Sequence, residues 1–177
     1  LLLVILKSPN ISDRIWALHH RADLNETNAD VQAEVLKLVR SAHYNVSERA
    51  IQSVTPLDLE SHEFQFALLK DFDKLNYAIR KMIILKLRES PQLSPKVSIR
   101  LADKLQIMNG ELIGSVLALF SAKEIDNIEI VRQVVDLLNN QNYYVSKQAY
   151  DFLNRLQIAD SGVQRSLSRY RTEHKLQ

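Results

Sequence analysis

Metal binding, acid–base catalysis and phosphate handling each need particular side chains at particular spacings, and the 177-residue chain offers few of them. Of its five histidines, His19 and His20 are adjacent, which puts them on different faces of a helix, and no His-x-x-x-His or Glu-x-x-His pair holds two ligands on one face. No metal site and no catalytic residue is expected. The sequence has no Gly-x-Gly-x-x-Gly, no phosphate loop ending in Gly-Lys-Ser or Gly-Lys-Thr, and no Gly-x-Ser-x-Gly elbow. Nucleotide and hydrolase chemistry therefore lack their usual carriers, and no cofactor is expected. With no cysteine, disulfides, thiolate ligands and cysteine nucleophiles are all excluded. Asn10-Ile11-Ser12, Asn25-Glu26-Thr27 and Asn45-Val46-Ser47 match the glycosylation acceptor pattern, which arises readily by chance.

What remains is recognition, so the elements that would present charged and aromatic groups become the question. The formal net charge is only +2, so any site for a polyanion must be local. At 46% hydrophobic residues the chain can bury a substantial core, roughly 70% of its extended surface by size scaling, and one domain is expected. Three glycines and four prolines leave long uninterrupted stretches whose apolar residues recur at three- and four-residue spacing, the period of a helix. The fold class is all-α.

A repeat organises those helices. The segment Val46-Ser47-Glu48-Arg49-Ala50-Ile51 is echoed by Val145-Ser146-Lys147-Gln148-Ala149-Tyr150, three periods of 33 residues later, and anchors at 13, 79 and 112 complete the series. Apolar columns stand eleven residues before the anchor (Leu2, Val35, Leu68, Leu101, Val134), ten before (Leu3, Leu36, Leu69, Ala102, Val135) and seven before (Leu6, Val39, Phe72, Leu105, Leu138). Others stand at the anchor (Val46, Ile79, Leu112, Val145), four after (Ala17, Ala50, Ile83, Val116, Ala149), five after (Leu18, Ile51, Ile84, Leu117, Tyr150) and eight after (Val54, Leu87, Phe120, Leu153). Only Asp13 and Arg21, both in the first copy, break these columns.

Three residues before the anchors come Asn10, His43, Asn76, Asn109 and Asn142, and an asparagine there can accept from the amides that open a helix. The spacing predicts paired helices over about 1–22, 30–55, 61–89, 95–122 and 127–156, with Pro56, Pro91, Pro95 and the 159–162 stretch as connectors. Val163, Leu167 and Tyr170 continue the first-helix pattern into a basic closing helix over 160–173. The apolar run Leu1–Leu6 is too short to span a bilayer and reads as the remnant of a packed helix, so the chain is expected to be a piece of a longer one.

Paired helices with Val-x-x-x-Ala-apolar in the second, as in Val46 to Ile51 and Val145 to Tyr150, resemble HEAT or HEAT-like repeats over nearly the whole chain. Ile79-Arg80 with Asp73 comes nearest to that family's Val-Arg pair after a turn aspartate, whereas Val46-Ser47 and Val145-Ser146 depart from it, so an armadillo-type variant stays open. The resemblance implies a right-handed α-solenoid whose second helices line a concave face, commonly used to hold proteins.

In the second helices, positions two, three, six and nine after the anchor point away from the core. By unit these are Ile15, Trp16, His19 and Ala22; Glu48, Arg49, Gln52 and Thr55; Lys81, Met82, Leu85 and Arg88; Gly114, Ser115, Ala118 and Ser121; Lys147, Gln148, Asp151 and Asn154. The candidate partner-binding residues are therefore Trp16, His19, Arg49, Gln52, Lys81, Met82, Leu85, Arg88, Gly114, Ser115, Ala118, Lys147 and Gln148. A mildly basic stripe with an aromatic end suits a partly acidic peptide or helix. The second reading is nucleic-acid binding through Arg49, Lys81, Arg88, Lys147 and the closing helix. An enzyme resembling the HEAT-like DNA glycosylases would need an aromatic and acidic cluster, and Trp16 and Asp151 lie too many units apart to make one.

Overall fold

The computed structural model describes residues 1–24, 26 and 28–175. Asn25 and Thr27 of the second acceptor triplet, and the side chain of Ala22, lie outside the described set. The described residues form twelve α-helices and three short 3-10 turns and contain no strand. The helices are α1 (Leu2–Leu6), α2 (Ile11–Leu24), α3 (Ala29–Leu38), α4 (Tyr44–Gln52), α5 (Pro56–Glu60), α6 (His62–Leu68), α7 (Tyr77–Arg88), α8 (Pro95–Ala102), α9 (Gly110–Ala122), α10 (Ile128–Asp136), α11 (Tyr143–Leu156) and α12 (Ser161–Glu173). Two compact units divide the chain, residues 1–94 and 95–177.

Within the first unit, α2 packs on α4 and α4 on α7, while α1 packs on α3 and α3 on α6. The second unit repeats the pattern, with α9 on α11, α8 on α10, and α12 against both α10 and α11. The core follows the apolar columns. Every residue named above at eleven before, seven before, four after and five after the anchors is buried. Each large aliphatic side chain so placed contributes about 1.5–3 kcal/mol relative to exposure. The column ten before is looser: Leu3, Leu36 and Val135 are only half-buried.

Capping explains where the second helices start. The Asn10, Asn76, Asn109 and Asn142 side chains accept from the amides of Ser12, Ala78, Leu112 and Tyr144 at 2.8–3.0 Å, and His43 makes no such bond. The first helices end early. Phe72, Leu105 and Leu138 enter the core from tight 3-10 turns at Phe72–Lys74, Leu105–Ile107 and Leu137–Asn139, where the apolar pattern alone suggests continuous helix. Asp71 adopts a left-handed backbone (φ 54°) just before the first of them, which stops α6.

The connector at Pro56 is itself a helix. Thr55 accepts from the Asp58 amide, Asp58 accepts from the Thr55 amide, and Pro56 occupies the first turn, where its missing N–H costs nothing. This capping box places the Asp58 carboxylate in the interior, against Arg21 of α2. No helix among the described residues is long and apolar enough to cross a membrane.

Candidate functional site

The expected stripe lies outside the core: none of its described positions is buried. In the first unit, Trp16 is half exposed and its ring stacks on His20, with centroids 4.4 Å apart, because residues four apart share a helix face. His20 Nδ1–H donates to the Trp16 carbonyl at 2.9 Å, which fixes that ring, and His19 meets it edge-on at 5.0 Å. Arg49, one repeat later on α4, donates to Gln52 at 3.0 Å.

Ser12, Ile15, Trp16, His19, His20 and Arg49 wall an open groove of about 380 Å³. Thus three of the residues singled out from sequence, Trp16, His19 and Arg49, converge on one concavity, with Gln52 holding the arginine. Trp16 also lines a second cavity of about 630 Å³ with Val4, Ile5, Lys7, Ser8, Pro9 and Asp13. Lys81 and Met82 are half-buried on α7, and Leu85 and Arg88 are exposed there; none of the four walls this groove.

The second unit arranges its stripe differently. Gly114 of α9 faces Gln148 of α11 so closely that a Cβ there would lie 2.7 Å from Gln148 Oε1. The side chain of the chain's own neighbouring helix therefore covers that small residue. Ser115 turns its hydroxyl back to the Glu111 carbonyl at 3.0 Å, and Ala118 is exposed. Lys147 pairs with Asp151 on the same helix, and that hydrogen bond holds its ammonium above the ordinary lysine value.

Two constellations fall outside the sequence-derived stripe. One is the buried Arg21–Asp58 pair, whose only signal was the break in the column eight after the anchor. The other is an aromatic ladder in the second unit. Tyr143 lies 5.5 Å from His174, His174 4.2 Å from Tyr170, and Tyr170 stacks on Tyr150 at 5.1 Å. The Tyr143-Tyr144 dipeptide sits just before its anchor, so a register counted forward from the anchor passes over it. Among the described residues, no three His, Asp or Glu side chains gather as a metal site.

No protein-family model matches the chain, and no curated protein matches it. Among solved structures it aligns with a crystal structure of an engineered protein from the Northeast Structural Genomics Consortium. That alignment has a TM-score of 0.48 and 17% identity, covering 98% of this chain and 95% of the other.

Proposed function

We propose that the chain is a right-handed HEAT-like α-solenoid acting as a non-enzymatic interaction module, which grips a peptide or helix along the concave stripe of its second helices. The packing of second helix on second helix and first on first within each unit supports the architecture. One observation carries the function: the half-exposed Trp16, pinned by His20, shares a groove with Arg49 and no acidic residue stands in its walls.

A rigid indole presents a large apolar surface at little entropic cost, and an adjacent guanidinium favours a carboxylate in bidentate geometry. The segment that fits is an apolar or aromatic side chain flanked by Asp or Glu.

Selection of a displayed random-peptide library on the immobilised chain tests this reading. Enriched peptides should share an apolar anchor next to an acidic residue. Trp16→Ala and Arg49→Glu should each weaken a selected peptide by roughly tenfold or more in a calorimetric titration. Enrichment without that pattern, or binding that survives both substitutions, overturns it.

A further inference from the structure

The second unit carries a face of a different chemistry. Residues 143–175 hold six Lys and Arg against three Asp and Glu, a balance of +3, whereas the whole chain has +2, so the other residues are slightly acidic. The same stretch holds Tyr143, Tyr144, Tyr150 and Tyr170, four of the six tyrosines. Positive charge and flat rings are therefore concentrated on α11 and α12.

The rings are ordered from the inside outward. Tyr170 and Tyr150 are buried, and Tyr170 is fixed by a 3.0 Å hydrogen bond between its hydroxyl and Ser146. Arg171 donates to the Tyr150 hydroxyl at 3.1 Å, and Lys147 lies 5.6 Å from the Tyr150 ring centre. At the outer end Tyr143 is 54% exposed, and Lys147 follows it by four residues, one helical turn on.

We propose that this face binds single-stranded nucleic acid, a base stacking on Tyr143 and the phosphates meeting Lys147 and Arg171. An exposed ring that rests, through His174, on the buried Tyr170 is a stacking platform that tolerates any base, and the cations beside it supply the sequence-independent attraction. Lys147 and Arg171 beside the ladder favour a polyanion, and the flat exposed ring of Tyr143 selects one that bears bases over an acidic peptide. This site is separate from the Trp16 groove in residues, unit and ligand.

Fluorescence anisotropy of the intact chain with a labelled oligothymidylate of about 12 nucleotides tests it, at about 50 and 200 mM salt. Binding is expected at the lower salt and should fall steeply at the higher. Tyr143→Ala should weaken it by roughly tenfold, and so should Arg171→Glu, both with unchanged circular dichroism because these residues are exposed. Asp151→Asn, which removes the carboxylate paired with Lys147, should strengthen it, and Trp16→Ala should leave it unchanged. Absence of binding at low salt overturns the proposal. So do full affinity in Tyr143→Ala, and polyglutamate that competes as well as the oligonucleotide.

Discussion

Asp58 receives both terminal nitrogens of Arg21, each at 2.7 Å, across 37 residues of sequence and with both side chains shut off from solvent. The pair is embedded in further hydrogen bonds: Arg21 also reaches the Ser53 carbonyl, while the Asp58 carboxylate accepts from the Thr55 amide and hydroxyl and from Gln32. Removing one partner of such a pair leaves a buried charge and costs about 3–5 kcal/mol. Asp58→Ala should be the more damaging single change, because it strands the guanidinium and dissolves the capping box of α5. Arg21→Met leaves the carboxylate three other donors. In urea unfolding followed by circular dichroism, the double substitution should cost less than the two single costs added together. Strict additivity would mean that the ion pair contributes no coupling.

The same carboxylate makes stability depend on acid. Burial alone would raise Asp58, but the hydrogen bonds from Arg21, the Thr55 amide and Gln32, with the Arg21 charge, outweigh it and hold the carboxyl below its ordinary value. A folded value below the unfolded one means that the unfolded chain binds the proton more readily. The contribution is then complete above the ordinary carboxylate pKa of about 3.9 and is lost as pH falls through the folded value. Melting temperatures of the wild type and Asp58→Asn should differ by a constant amount above about pH 5 and converge below about pH 4. A gap that stays constant to the lowest pH would show that the Asp58 charge does not matter to the fold.

Periodicity made the helical class and most of the core legible, because burial of one face at a 33-residue interval leaves an unbroken column at Ala17, Ala50, Ile83, Val116 and Ala149. Arg21 broke the neighbouring column, and its partner could not be read because Pro56 looks like a simple connector. Only the geometry of Thr55 and Asp58 turns that connector into a helix aimed inward. The early ends of α6, α8 and α10 were hidden for another reason: a 3-10 turn buries the same apolar residue that one more helical turn would. At the candidate site, Trp16 and Arg49 could be assigned to one face from helix phase alone. The Tyr143–His174–Tyr170 ladder could not, since it joins two helices across a turn whose angle no residue spacing encodes.

Gly114 gives a test of whether the small residues on α9 are there for close packing. Its backbone is ordinary helix, so alanine fits the conformation and should gain about 1 kcal/mol of helix propensity. The obstacle is the end of Gln148, a flexible side chain whose buried Oε1 has no hydrogen-bond partner and can move without losing one. Gly114→Ala should therefore raise the melting temperature by about 2–4 °C. A fall in its place, reversed when Gln148 is also changed to Ala, would identify Gln148 as locked over Gly114 by its surroundings.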